Sequence, residues 1–398
     1  MIRIPNAEFA ARVERIREIM KTENLDACFV YGDEYRRENL RYVSNYWPIF
    51  ERGALVIGKE GEPVALAAPE GEEVCREASA WSDIRLVPDF ACVTVPDQIE
   101  YPQANYTNFR DVFREMQGGT TWSRVGIVGM DAMSHAVLET LRNSLPGCEL
   151  VDANAILHRI RLIKSEHELA CLKEAARIAD VGYRALMQAA EAGKTELQLA
   201  AAAHQAAYAA GAENVVFCLV SSGARVGTII GRATNKVIED GDMVMAALAV
   251  QVEGYIATVN FPFVVGTMSP KQRELIDLLI AAADRVLPCL KAGNPLSAPV
   301  RAVKDYFREQ GVERYDLYPP MHGCGVAEAE SPYPDEHATG LFEAGMTVNT
   351  DISLFGHPGG SNRIEEGFVI TEHGCEPMSA LVRDLCRQWK EKGSIVVS

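Results

Sequence analysis

"GDMVMAALAVQVEGYIATVNFPFVVG", residues 241–266, consists of two long apolar runs that are separated by a short polar turn. The first run ends at Val252, the turn carries Glu253 and Gly254, and the second run begins at Tyr255. Runs rich in valine and isoleucine around such a turn are typical of paired β-strands. The stretch therefore predicts a strand hairpin, and what lies on either side of it decides the kind of domain.

Helices and further strands flank this hairpin on both sides. Upstream, Ser165 with Glu168 and Thr195 with Gln198 form two capping boxes, each of which opens a predicted helix. Downstream, two helices and then two strands are predicted at 270–290, 297–311, 345–355 and 363–374. A helix pair followed by strands thus occurs twice, which predicts an internally duplicated α+β domain with a pseudo-twofold relation over residues 156–398.

The first part of the chain alternates helices with strands. Residues 7–25 have apolar side chains at helical spacing, and the short apolar segment 26–32 is typical of a buried strand. Residues 53–68 contain two apolar runs around Lys59, Glu60 and Gly61, which predicts a hairpin. We therefore expect an α/β domain over residues 1–155.

Composition excludes several classes of function. The 398 residues carry a net charge of −16, so a nucleic-acid partner is not expected, since such proteins present a basic surface. No run approaches the ~20 apolar residues of a membrane span, and the first residues lack the apolar core of a signal peptide. None of the ten cysteines forms a CxxC pair. We expect reduced thiols and a cytoplasmic location.

Five segments in this order resemble the creatinase/prolidase/methionine-aminopeptidase superfamily, which has the pita-bread fold. They are the entry helix 161–180, the hairpin 241–266, "HGCGVAEAESPY" at 322–333, and the closing strands 345–352 and 362–376. The resemblance covers nearly the whole chain. It implies an α/β N-terminal creatinase-like domain followed by a C-terminal pita-bread domain.

The resemblance also identifies five positions where metal-dependent members bind a pair of divalent ions: Ala247, Thr258, His322, Asp351 and Glu365. Members of this kind have two aspartates, a histidine and two glutamates there. Alanine has no donor atom, and a threonine hydroxyl replaces a bridging carboxylate poorly. We therefore expect no pair of metal ions, no other bound metal and no other cofactor. The alternative is a single ion on the three surviving ligands, His322, Asp351 and Glu365.

Loss of both aspartates is also a property of creatinase, the metal-independent branch of the superfamily. Phe50 and Arg52, which precede a predicted strand, resemble the creatinase segment that reaches across a dimer to the carboxylate of the substrate. An arginine suits this role because its planar guanidinium binds a carboxylate through two hydrogen bonds. The alternative is that Arg52 is a solvated surface residue.

The chain departs from both creatinase and the peptidases. Ile229 stands where creatinase has its proton-shuttling histidine, and Ala329 stands where peptidases carry a second histidine, which argues against Xaa-Pro cleavage. Glu328 is expected to be solvated. The resemblance implies a less charged pocket, with the predicted substrate-binding residues Phe50, Arg52, Ile229, Thr258, Asn260, Phe261, Glu330 and Arg363.

The predicted chemistry is proton transfer by His322, Asp351 and Glu365, since two carboxylates stabilise an imidazolium that can act as a general acid. The leading hypothesis is a metal-independent, creatinase-like hydrolase of a non-peptide C–N bond (amidine, guanidino or cyclic amide) in a small carboxylate-bearing compound. It would act as a homodimer, with the N-terminal domain completing the neighbour's site. The alternatives are a mononuclear metal-dependent hydrolase or lyase of the Xaa-Pro peptidase-like family and a catalytically lapsed binding protein.

Overall fold

The chain divides into two compact units, and the computed structural model describes residues 2–91 and 100–395. The first unit comprises Ile4–Arg161, and the second begins at Leu162. The division lies a few residues after the predicted boundary at residue 155, because the helix Asn154–Arg161 belongs to the first unit. Among the described residues, no helix combines the length and the apolar character that crossing a bilayer requires. The described cysteines are free thiols, and Cys92 lies outside the described residues.

A six-stranded mixed sheet forms the centre of the first unit, in the order β4-β3-β2-β1-β5-β6. Its strands are β1 (Ala27–Asp33), β2 (Arg52–Gly58), β3 (Val64–Ala67), β4 (Ile84–Leu86), β5 (Arg124–Val128) and β6 (Glu149–Asp152). Its helices are α1 (Asn6–Thr22), α2 (Glu38–Ser44), α3 (Glu72–Ala78), α4 (Phe109–Gln117), α5 (His135–Ser144) and α6 (Asn154–Arg161). The predicted hairpin is the antiparallel pair β2–β3, with Ala54 opposite Leu66. The α/β prediction for this part of the chain is confirmed.

An eight-stranded sheet forms the centre of the second unit, with the strand path β10-β8-β9-β13-β12-β11, β7 beside β8 and β14 beside β13. Its strands are β7 (Asn214–Ser222), β8 (Met243–Val252), β9 (Tyr255–Asn260), β10 (Phe263–Val264), β11 (Met321–Gly323), β12 (Thr347–His357), β13 (Gly360–Ile370) and β14 (Cys375–Pro377). Its helices are α7 (Glu166–Gln188), α8 (Glu196–Ala209), α9 (Pro270–Val286), α10 (Ser297–Glu309) and α11 (Ala380–Lys392). A helix pair followed by strands occurs twice here, as predicted.

Local hydrogen bonds start the two helices of the first pair. Ser165 accepts from the backbone of Glu168, whose carboxylate accepts from the backbone of Ser165, and Thr195 and Gln198 make the same exchange. Each box satisfies two backbone donors that a helix start would leave unpaired. The capping boxes read from the sequence are therefore present.

Helix α7 covers one face of the central hairpin β8–β9. Gly182 of α7 lies so close to β8 that a Cβ atom there would be 2.7 Å from Cδ2 of Leu248. Since neighbouring residues of a strand point to opposite faces, Ala247 points away from α7. Asn260, Glu365 and Asp351 lie on that other face.

Candidate functional site

Four neighbouring strands place four side chains in one row across the sheet. Ala247 of β8 is opposite Asn260 of β9, Asn260 is opposite Glu365 of β13, and Glu365 is opposite Asp351 of β12. Directly opposed residues project from the same face of a sheet, so all four lie on the face away from α7. The strand register therefore brings together positions that are far apart in the sequence.

His322 reaches the same face from β11, where it is opposite Asn349. Its Nδ1 lies 2.9 Å from the carbonyl oxygen of Gly323. Because a carbonyl oxygen can only accept, Nδ1 carries a proton, and Nε2 is the ring atom that is left to bind a ligand. The ring also stacks on Tyr333, with centroids 5.7 Å apart and an interplanar angle of 14°. The imidazole is thus held in one orientation.

Glu365 is buried, with only 2% of its surface exposed. Its Oε1 accepts a hydrogen bond of 3.0 Å from Nδ2 of Asn349, and its Oε2 lies 3.3 Å from Nε of Arg363 in an ion pair. Burial raises the pKa of Glu365 well above its usual value, the Arg363 guanidinium opposes this, and the charges of Asp351 and Glu328 add to it. A carboxylate in this environment has a strong tendency to bind a proton or a cation.

Asp351 has its own set of donors. The Tyr318 hydroxyl donates to its Oδ1 over 3.2 Å, and Nη1 of Arg363 donates to its Oδ2 over 3.4 Å. Burial lowers the pKa of Arg363, but the charges of Glu365 and Asp351 together raise it by more. The pKa is therefore above its usual value, and the guanidinium stays charged. Arg363 therefore connects the two carboxylates of the row.

Glu328 is the functional candidate that the sequence analysis missed. It was expected to be solvated, but one ligand atom of each of Glu328, His322 and Glu365 lies within 4.8 Å of the others. Donor atoms around a divalent ion at about 2.1 Å are roughly 3.0–3.4 Å apart, so a small inward movement would complete this set. The available signal was an acidic residue close after His322 in a chain that lacks both aspartates.

Several buried polar atoms on this face have no hydrogen-bond partner among the described residues. They are both amide atoms of Asn260, Oδ1 of Asn349, Oγ of Ser353 and Oε2 of Glu365. Buried polar groups in folded proteins nearly always have partners. The face is therefore suited to bind water, an ion or the polar groups of a substrate.

Glu330, a predicted substrate-binding residue, forms a buried ion pair with Lys164. Its Oε1 accepts a hydrogen bond of 2.7 Å from Nζ of Lys164, and its Oε2 accepts one of 3.3 Å from the backbone of Ala327. A Cβ atom at Gly325 would lie only 2.4 Å from the Glu330 carboxylate. The buried carboxylate thus shapes the turn that carries Glu328, and both of its oxygens are engaged.

The other predicted substrate-binding residues differ in their surroundings. Thr258 and Asn260 lie on β9 on the polar face, whereas Phe261 is fully buried, and its backbone bonds to the hydroxyl of Tyr183. Ile229 lies in the loop after β7 with a φ of 33°, a backbone conformation that β-branched residues rarely adopt. Phe261 is therefore a core residue, and the roles of the other three stay predictions.

Phe50 and Arg52 belong to the first unit. Phe50 is 56% exposed with a φ of 59°, and its backbone donates to the Glu34 carboxylate. Nη1 of Arg52 donates to the carbonyl oxygen of Asp89 over 3.2 Å. A contact of these residues with the active site of a neighbouring subunit stays a prediction.

Comparisons with known proteins agree with this two-unit architecture. The model of "Metallopeptidase family M24" matches residues 170–372, and that of "Creatinase/Prolidase N-terminal domain" matches residues 12–163. The chain is similar to a Xaa-Pro dipeptidase of Pyrococcus furiosus, with 24% identity over 94% of this chain and 99% of the relative. It is also similar to a creatinase of a Bacillus species, with 24% identity over 93% of this chain and 90% of the relative.

Solved structures with the same fold include two relatives of this kind. The prolidase of Pyrococcus horikoshii has a TM-score of 0.79 and 22% identity, and the match covers 93% of this chain and 98% of that one. The Xaa-Pro dipeptidase of Bacillus anthracis has a TM-score of 0.77 and 22% identity, with 94% and 98% covered. The predicted fold class, a creatinase-like domain followed by a pita-bread domain, is confirmed.

These matches correct the leading functional hypothesis. A metallopeptidase model that covers the second unit and Xaa-Pro dipeptidase relatives along nearly the whole chain contradict metal-independent hydrolysis of a non-peptide C–N bond. The alternative of a metal-dependent hydrolase agrees better with them. Loss of the two aspartate positions does not remove the acidic groups around His322, because Glu328 and Glu365 lie close to it.

Proposed function

Because this chain belongs to the metallopeptidase family M24, we propose that it is a metal-dependent hydrolase that cleaves a peptide bond in a small substrate. The single observation that carries this proposal is the orientation of His322. Its Nδ1 donates to the Gly323 carbonyl, so the lone pair of Nε2 is left to face the carboxylates of Glu328 and Glu365. Fixing one ring nitrogen in this way is how metal-binding histidines are commonly held.

The donor set suits a divalent transition-metal ion. His322 contributes an imidazole nitrogen and Glu365 a buried carboxylate oxygen without a hydrogen-bond partner among the described residues, and a further carboxylate lies within reach. One imidazole and two carboxylates bind zinc, manganese or iron well. A pair of ions is not supported, since Ala247 has no donor atom. When bound, such an ion polarises a carbonyl group and lowers the pKa of a water molecule.

The residues around these donors orient the side chains of the site and neutralise part of their charge. Arg363 holds Asp351 and Glu365 with its guanidinium, and Tyr318 donates to Asp351. Asp351 is thereby kept in one orientation, in which its carboxylate can accept a proton from a nucleophilic water. The ring of Tyr333, which is 58% exposed, covers one side of His322 and offers an apolar surface to a substrate.

The substrate class follows from the relatives and from one local difference. Relatives named Xaa-Pro dipeptidase suggest a dipeptide, and a small substrate ending in a carboxylate would give the Arg52 guanidinium of a neighbouring subunit a suitable partner. Ala329 stands where peptidases carry a second histidine, so this side of the scissile carbonyl has one donor fewer. We therefore expect that the enzyme hydrolyses fewer Xaa-Pro substrates, or hydrolyses them more slowly, than peptidases that carry this histidine. We also expect a homodimeric enzyme.

The test combines metal analysis with a panel of Xaa-Pro and other dipeptides. We expect hydrolysis in the presence of Mn²⁺, its loss with a chelator, and a decrease in kcat/KM of at least about 100-fold for His322→Ala and Glu365→Gln. The exposed His337→Ala is the matched control and should retain wild-type activity. Full activity after complete removal of metal would refute the metal dependence. A protein that binds Mn²⁺ and cleaves no dipeptide would refute the peptide-bond assignment.

A further inference from the structure

Thr258 and Glu328 form a contact that links two changes in the chain. The Thr258 hydroxyl donates to Oε1 of Glu328 over 3.1 Å, and the same oxygen lies 3.8 Å from Nε2 of His322. Thr258 occupies the position of the second aspartate of the superfamily. An aspartate there would bring two carboxylates together, and they would repel each other. The neutral hydroxyl instead holds the Glu328 carboxylate next to His322.

The acidic and basic side chains around His322 do not balance in charge. Glu328, Asp351 and Glu365 provide three carboxylates, whereas Arg363 provides one guanidinium, which pairs with Asp351 and Glu365. Negative charges that are partly removed from water are costly unless a cation compensates them. With all three carboxylates ionised, a divalent cation would supply the two positive charges that remain uncompensated beside Arg363.

We propose that Glu328 is a relocated metal ligand, which holds a single divalent ion together with Nε2 of His322 and Glu365. This inference rests on the proposed function and names the third ligand, a role that the superfamily resemblance assigns to Asp351. The relocated carboxylate replaces those lost at Ala247 and Thr258, and it comes from a different segment of the chain.

Glu328 fits this role better than Asp351 does. Asp351 accepts from Tyr318 on Oδ1 and from Arg363 on Oδ2, whereas Glu328 is one of the three residues whose ligand atoms lie within 4.8 Å of one another. Glu328 accepts from Thr258, a neutral group that can stay bonded while the carboxylate binds an ion.

The exposure of the three ligands indicates where the ion would be open. The side chain of Glu328 is 25% exposed, whereas those of His322 and Glu365 are 7% and 3% exposed. Catalytic metal sites keep at least one position free for water or substrate. That position would therefore lie on the Glu328 side.

The test is Mn²⁺ binding by isothermal titration calorimetry at pH 7.5, which requires no substrate. We expect one Mn²⁺ per chain for the wild type and affinity at least about 100-fold lower for Glu328→Gln. Thr258→Val should weaken binding about 10-fold, the size typical of losing a group that orients a ligand, and Asp351→Asn should weaken it less than that. The exposed Glu343→Gln is the control for removing a carboxylate and should bind like the wild type.

The outcomes separate this inference from the proposed function. If Asp351→Asn abolishes binding while Glu328→Gln retains it, the relocation is refuted and the metal-dependent function stands. If the wild type binds no Mn²⁺, both are refuted, and binding of two ions per chain would refute the single-ion site. Circular dichroism and the melting temperature in chelator confirm that each variant is folded, which is expected because a glutamine matches Glu328 in size.

Discussion

The buried ion pair between Lys164 and Glu330 is expected to support the whole turn on which His322 and Glu328 lie. Its Nζ–Oε1 distance is 2.7 Å, and the two side chains are only 1% and 6% exposed. We predict that Lys164→Met, which keeps the length of the side chain and removes its charge, strongly destabilises the second unit.

The magnitude follows from the geometry. At 2.7 Å and an effective dielectric constant of about 20, the attraction is about 6 kcal/mol. Desolvation offsets part of it, and removing one partner of a buried pair costs about 3–5 kcal/mol because the other charge stays buried. For a domain of this size, each kcal/mol lowers the melting temperature by about 2–4 °C, so the expected decrease is roughly 6–20 °C.

The assay is differential scanning calorimetry of Lys164→Met, Glu330→Gln and the double variant. The double variant has no buried charge, so it should recover at least half of the stability that Lys164→Met loses. A decrease below about 3 °C for Lys164→Met, or a double variant as unstable as the sum of the single ones, would refute this reasoning. At temperatures where Glu330→Gln is folded, its KM should change less than about two-fold, since a structural role does not alter substrate binding.

Two further predictions concern the dimer and the metal. If Arg52 completes the site of a neighbouring subunit, the Arg52→Ala and His322→Ala variants should each be inactive, and an equal mixture of them should regain about one quarter of wild-type activity. The reason is that half of the dimers would be mixed, and each mixed dimer would have one intact site out of two. A mixture without activity would contradict this prediction. Burial raises the pKa of Glu365, and protons compete with an ion for its carboxylate. The affinity for Mn²⁺ should therefore fall as the pH decreases through that raised pKa, by up to about ten-fold per unit, and an affinity that is constant from pH 8 to pH 5.5 would be evidence against Glu365 as a ligand.

The sequence alone determined the capped helices, the hairpins and the order of the two domains. Capping boxes such as that of Ser165 and Glu168 act between residues three apart, and the hairpin around Gly254 depends on two adjacent apolar runs. Interactions of this kind lie within a few residues along the chain, so they can be read without knowledge of the fold. The superfamily resemblance depends on the same local segments, and the two residues that it identified outright, His322 and Glu365, lie on the polar face.

Only the tertiary structure decided which carboxylates meet. Glu328 and Glu330 are two residues apart and chemically identical, yet one approaches His322 and the other is paired with Lys164. The difference arises from the path of one tight turn and from a lysine 166 residues away. Whether a side chain from another segment can replace a lost ligand depends on contacts between residues that are distant along the chain. Residue spacing in the sequence does not predict such contacts.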